Sequence, residues 1–229
     1  MTSLATKGKG LTRQEIIERT KLADNGRFSL MLEELESCGF IRCYEPYVSE
    51  TTRRRRICIG KTKNTDTLYQ LVDPFTLFYF QVMRKADAYD ANYWSNNQNT
   101  HLYSAWSGLS FEMLCLNHVD QIKSALGISG ISANVFSWAG KGYDRSAQID
   151  MLIDRADRTI NLCEMKFHNK PYTMTKNDEE DIERKVSSFK EATKTDKSII
   201  VTMITTTGLE RNEHSEGIQK VITLDQLFC

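Results

Sequence analysis

The chain has 229 residues, 30 Lys+Arg balanced by 30 Asp+Glu, and six cysteines without CxxC spacing. That length can bury a core and suggests one or two domains, and zero net charge excludes a protein that coats nucleic acid by charge alone. No apolar run of roughly eighteen residues or more occurs, so no transmembrane helix and no membrane partner are expected.

The opening MTSLATKGKGLTRQE lacks a secretory apolar region, which predicts a cytosolic (cytoplasmic) protein. Cys38, Cys43, Cys58, Cys115, Cys163 and Cys229 mostly have apolar neighbours and read as reduced, small core residues. Charge is uneven: residues 1–70 hold 13 Lys+Arg against 9 Asp+Glu.

Thr12-Arg13-Gln14-Glu15 is a capping box that opens a helix through Thr20, and Asp24-Asn25-Gly26 makes a turn. Arg27 to Cys38 reads as a second helix, with Phe28, Met31, Leu32 and Leu35 at core spacing and Gly39 as its stop. Phe40 to Tyr44 and Thr67 to Val72 read as strands; between them lie a Pro46 loop, the run Arg53, Arg54, Arg55, Arg56, and Ile57-Cys58-Ile59. Helix, turn, helix and hairpin form the pattern of a winged helix-turn-helix over residues 1–72. The arginine run beside the wing and Arg27 on the second helix are the candidate nucleic-acid contacts, by phosphate. Glu33, Glu34 and Glu36 oppose insertion of that helix into a major groove, which favours packing or protein contact over base readout.

Residues 73–106 form an aromatic-rich helical connector. Asp73-Pro74 opens a helix, and Phe75, Phe78, Tyr79, Phe80, Tyr89, Tyr93 and Trp94 predict a segment buried between two modules. Asn92 to Thr100 is polar and reads as a loop.

Residues 107–229 form the second domain. Ser107 to Leu126 predicts one long helix stopped by Gly127, with Phe111, Leu114, Cys115, His118, Ile122 and Ala125 on one face and His118 as a core histidine. Glu112 sits among Phe111, Met113, Leu114 and Leu116, so it is partly buried and needs a partner or a metal. Asn134 to Trp138 is a first strand, and Gly140 to Asp144 a loop. Ala147 to Ile153 and Thr159 to Phe167 follow as strands around the charged turn 154–158. The chain then gives a polar connection (Lys170 to Lys176), a helix with an apolar stripe of Ile182, Val186 and Phe189, and a buried strand, Ser198 to Ile204. Val221 to Thr223 and Leu224 to Phe228 close it as a strand and a helical turn. Lys185 could face phosphate but reads first as a solvated surface lysine.

Alternation places Gln148, Asp150 and Leu152 on one face of their strand, and Leu162, Glu164 and Lys166 on one face of theirs. A hairpin symmetric about Asp157 sets Asp150 opposite Glu164, about 4.5–5.5 Å apart at Cβ. Carboxylates that close repel unless a cation lies between them. A divalent metal on two carboxylates beside a lysine is apparatus for phosphodiester hydrolysis.

Asp150, fourteen residues before Glu164-Met165-Lys166, resembles the PD-(D/E)XK motif of restriction-endonuclease-like and junction-resolvase-like folds. Helix, three strands, helix, strand is similar to their αβββαβ core, so the expected class is α/β (α+β) with a central mixed sheet. That resemblance implies an acidic residue from the first core helix, matched by Glu112. It also implies Mg²⁺ or Mn²⁺ held by Asp150, Glu164 and Glu112 with the Met165 carbonyl. Lys166 would stabilise the transition state or orient water, and Gln148 would position the group.

LVDPFTLFYF, GLSFEMLCLNHVDQIKSALGI, SAQIDMLIDRADRTINLCEMKF and TLDQLF resemble, across residues 11–229, the C-terminal half of a bacterial and archaeal family of AAA-type ATPases. In that family a winged helix and a nuclease-like domain follow a nucleotide-binding domain. No GxxxxGK[ST] loop occurs here, so ATP binding is not carried over: the chain either works with a separate AAA-type ATPase as its partner or acts alone. The leading expectation is a Mg²⁺-dependent DNA nuclease. The alternative is a non-catalytic nucleic-acid-binding or ATPase-partner module with a degenerate site.

Overall fold

The structure, a computed structural model, describes residues 1–6, 10–44, 47, 67–85, 90, 92–98, 100–139 and 147–228. Arg53 to Arg56, Ile57 to Ile59 with Cys58, Tyr89, Cys229 and the loop at 140–144 lie outside them.

The first helix begins where the capping box predicts. Thr12 Oγ1 accepts from the Glu15 N–H, and Glu15 Oε2 from the Thr12 N–H at 2.8 Å, which satisfies two end donors of α1 (Arg13–Thr20). Asn25 caps α2 (Gly26–Ser37), and Gly39, at φ +75, lets the chain turn out of it. β1 (Leu11–Thr12), β2 (Ile41–Tyr44) and β3 (Leu68–Leu71) form an antiparallel sheet in the order β1-β3-β2. Gly10, at φ +78, is required there, since a Cβ would meet the Tyr69 carbonyl oxygen at 2.4 Å. α3 (Pro74–Gln81), α4 (Tyr93–Asn97) and α5 (His101–Asn117) complete this unit. Its core gathers Leu11, Ile16, Phe28, Leu32, Ile41, Leu71, Leu77 and Met113.

The chain divides into two compact units, residues 1–45 with 64–117, and residues from 118 on joined by Tyr47. Four expectations change here. The predicted helix Ser107 to Leu126 is two: α5 ends at Asn117 in the first unit, and α6 (Val119–Ala125) begins the second. His118 sits at the break with non-helical backbone, its ring edge-on to Phe228 at 5.0 Å, half-buried and not in a core stripe. The connector groups wholly with the first unit, and it is not uniformly buried. Phe78, Trp94, Tyr103 and Trp106 pack ring against ring, but Phe75 and Tyr79, one turn apart on the opposite face of α3 from Leu77, are exposed. Asn92 to Thr100 holds the short α4 where a loop was expected.

The second unit is built on a five-stranded mixed sheet in the order β10-β8-β6-β5-β4. β4 (Ala133–Ala139), β5 (Gln148–Arg155) and β6 (Thr159–Lys166) run antiparallel in succession; β8 (Ser198–Thr205) and β10 (Lys220–Thr223) continue parallel to β6. β7 (Tyr172–Thr173) and β9 (Leu209–Glu210) make a small separate pair. α7 (Lys176–Thr193) crosses between β6 and β8, opened by a Thr175/Asp178 capping box. It lays Phe189, wholly enclosed, against Trp138, Leu152, Ile160 and Leu162. The fold is therefore mixed α/β. Among the described residues no helix is long and apolar enough to cross a membrane.

Cys115 and Cys163 are buried, but Cys38 and Cys43 are exposed, contrary to the core role expected of them. Cys38 is the C-cap of α2 and Cys43 lies on β2, the edge strand of the small sheet, so neither faces that unit's core. Burial pushes the Cys163 thiol up to about 12, with the Glu164 carboxylate adding to the shift, which leaves it unreactive.

Candidate active site

The β5–β6 hairpin pairs Asp154 with Ile160, Ile153 with Asn161, Leu152 with Leu162 and Met151 with Cys163, a register symmetric about Asp157. Extended by one residue, it sets Asp150 opposite Glu164. The pairing between the two strands ends one step before that level. β5 goes on with β4 to Gln148, and β6 goes on with β8 to Lys166. Asp150 and Glu164 thus stand where two neighbouring strands part.

The cause is visible in the β4–β5 ladder. From Phe136↔Leu152 to Trp138↔Ile149, β4 advances two residues while β5 advances three. The extra residue is a bulge in β5 at Asp150–Met151, opposite Ser137. A bulge breaks the alternation of side chains and re-aims one of them. Strict alternation put Ile149 on the face opposite Leu152; in the structure both join one core cluster with Trp138 and Phe189. The Ser137 carbonyl beside the bulge accepts from the Tyr47 N–H at 2.7 Å.

Four predicted site residues meet in this fork. Gln148 Nε2 donates to Asp150 Oδ1 at 2.5 Å. Glu164 Oε1 lies 3.3 Å from the Lys166 ammonium, and the Lys166 side chain is about one-third exposed, at 32%. Burial pushes the Asp150 carboxyl up. The Gln148 bond pulls it down, the Glu164 charge raises it further, and the two lysines oppose that.

Lys185 belongs here too, which corrects its reading as a surface lysine. Its side chain is only 12% exposed, and its ammonium donates to Glu164 Oε2 at 2.7 Å. It also lies 3.1 Å from Asp181 Oδ2, one helical turn away. Burial would lower the Lys185 ammonium, but the charges and hydrogen bonds of Glu164 and Asp181 outweigh it and hold it above its ordinary value. The signal was present in the spacing. Lys185 is three residues after Ile182 and four before Phe189, on the same inward stripe of α7. Asp178 completes the rim, 3.9 Å from Lys166, and Tyr172 lies over that ammonium at 6.0 Å. Burial and the Asp178 hydrogen bond both push the Tyr172 phenol up.

Glu112 is placed elsewhere in the chain's organisation. It is on α5 in the first unit, lining a small cavity with Leu4, Gln70, Leu71, Leu77 and Met113. Among the described residues no group of three or more His, Cys, Asp or Glu is arranged to hold a metal ion. Met165, whose carbonyl was the expected further ligand, pairs with Ile204 in the β6–β8 ladder. Arg27 is exposed at the start of α2, beside Leu22, Phe28, Leu30 and Glu34 in a shallow groove.

The raised Asp150 carboxyl has a consequence for folding. A carboxyl whose folded value lies above its unfolded one makes the ionised form a cost. The cost is absent below the unfolded value of about 3.9, grows as pH rises past it, and is complete above the raised value. Metal-free Asp150→Asn is therefore expected to be more stable than the parent near pH 7.5 and equal to it near about pH 3. Denaturant midpoints measured with a chelator present test this, and a less stable variant near neutral pH would show the carboxylate to be favoured by its surroundings.

No family model and no curated protein matches the chain. Among solved structures it is similar to "Crystal Structure of Protein of Unknown Function AF1548", at 14% identity and a TM-score of 0.36, over 50% of this chain and 64% of that one. At that score the likeness fixes neither fold nor function.

Proposed function

We propose that the second unit is a metal-dependent nuclease domain of the restriction-endonuclease-like kind, hydrolysing phosphodiesters of DNA with Mg²⁺ or Mn²⁺. The observation that carries this reading is the opposition of Asp150 and Glu164 at a bulged strand fork, with Lys166 two residues along the same strand. The strand order supports it, since β4-β5-β6-β8-β10 with only β5 reversed accommodates the αβββαβ arrangement.

The residues fit such a metal. Asp150 is a buried carboxyl raised by its surroundings, which a cation would relieve. Mg²⁺ is commonly held by one or two carboxylates, with water and substrate phosphate in its other positions. Asp150 and Glu164 would hold it, and when bound it would supply Lewis acidity and a more acidic water. Gln148 orients the Asp150 carboxylate through its amide. Lys166, partly exposed at the end of β6, can reach a phosphate and stabilise the negative charge that grows as the phosphodiester is attacked.

For the first unit we propose a winged helix, from two helices followed by the antiparallel strands β2 and β3, with β1, which precedes the helices, completing a sheet ordered β1-β3-β2. The exposed Leu30, Glu33 and Glu34 on α2 favour a protein partner there over base readout. A separate AAA-type ATPase is the partner the sequence resemblance implies.

Incubation of purified protein with supercoiled, linear and branched DNA and Mg²⁺ or Mn²⁺ tests the nuclease reading. Cleavage that stops in Lys166→Ala is expected. Absence of cleavage on all three substrates, or cleavage indifferent to that substitution, would favour the non-catalytic alternative.

A further inference from the structure

We infer that Lys185 is an internal counter-cation: it holds Glu164 in position until a divalent metal arrives, then moves onto Asp181. This rests on the metal-site reading above and names a positioning residue within it.

Three observations carry it. Both oxygens of Glu164 face ammonium groups, Lys185 at 2.7 Å on Oε2 and Lys166 at 3.3 Å on Oε1. Lys185 and Glu164 are each 12% exposed at the side chain, so solvent screens them little. A second acceptor is already in reach, because Asp181 Oδ2 is 3.1 Å from the same nitrogen.

An ammonium and a divalent cation on one carboxylate oxygen repel each other strongly in a poorly screened site, so a metal at Glu164 Oε2 competes with the closer Lys185 contact. Lysine suits the exchange, since its charge rides on a flexible four-carbon stem with three donors. Lys185 and Asp181 are one turn apart on α7, so transfer needs rotation of side-chain torsions and no change in backbone. The same contact explains how Glu164 stays aimed into the fork before a metal binds. Without Lys185, only the more exposed Lys166 would restrain it. The arrangement predicts competition, and competition gives a result opposite in sign to that of a structural prop. Removing a prop weakens metal binding; removing a competitor strengthens it.

The test is Mn²⁺ binding to the full chain, by calorimetry and by electron paramagnetic resonance, for the parent and for Lys185→Met, Asp181→Asn and Glu164→Gln. Lys185→Met is expected to bind Mn²⁺ about tenfold more tightly, and Asp181→Asn about threefold more weakly because the displaced ammonium loses its second acceptor. Glu164→Gln is expected to lose the site. Circular dichroism and melting curves establish that each variant folds. If Lys185→Met does not, Asp181→Asn decides, since Asp181 lies on the partly exposed side of the helix and its unchanged affinity would overturn the exchange. Unchanged or weaker binding in a folded Lys185→Met, with Glu164-dependent binding in the parent, would overturn the role of Lys185 alone. Absence of Mn²⁺ binding in both parent and Lys185→Met would overturn the metal site together with it.

Discussion

Lys166→Ala is expected to lower Mg²⁺-dependent DNA cleavage by about 10²–10³-fold, the range for losing one preorganised donor to a developing negative charge. The substitution separates chemistry from folding. Lys166 is about one-third exposed, and its partner Glu164 keeps a second and closer ammonium in Lys185. Glu164 is thus not left without a cation, so stability should change little. Mn²⁺ affinity should also survive, because Asp150 and Glu164 remain. Cleavage rates under single-turnover conditions, read beside Mn²⁺ affinity, check both halves. Loss of cleavage together with loss of metal binding would place Lys166 in the metal's support and not in the chemistry. Persistence of cleavage would remove it from the site.

Phe189→Ala carries the largest expected effect on stability, about 3–5 kcal/mol. Phe189 is completely enclosed, edge-on to Trp138 at 5.4 Å and tilted against Tyr47 at 5.1 Å. It is the main apolar contact by which α7 meets the face of the sheet formed by Leu152, Ile160 and Leu162. It also lies one turn beyond Lys185, so a cavity there would loosen the helix that aims the ammonium at Glu164. Urea unfolding of the variant should show the lower midpoint, and its Mn²⁺ affinity should differ from that of the parent. An unchanged midpoint would mean that the sheet face repacks without this ring.

The parts legible in the sequence were those governed by local rules. Thr12 with Glu15 gave a capped helix start, Gly39 at positive φ a helix stop, and Asp73-Pro74 the start of α3. The hairpin register was legible because apolar runs flank a charged turn, so only one symmetric pairing buries both strands. Where the reading failed, a local rule met a competing contact. Ser107 to Leu126 keeps helical periodicity throughout, yet the helix breaks at His118, where the ring packs on Phe228 from the far end of the chain. The aromatics of the connector suggested burial, but an eight-residue helix has two faces, and Phe75 and Tyr79 fell on the outer one.

For this protein the sequence alone determined which residue types could form a site: an acidic pair at hairpin-symmetric positions, with a lysine two residues on. Strand alternation and turn chemistry are properties of neighbours along the chain, and they sufficed for that. The tertiary structure decided which groups meet. The bulge at Asp150–Met151 reflects pairing with β4 and cannot be seen in β5 itself. It also took the packing of α7 on the sheet to bring Lys185 from a helix surface to within 2.7 Å of Glu164, and the fold grouped Glu112 with the first unit. Long-range packing, not local propensity, sets the cations that face a carboxylate, and so its charge and what it can bind.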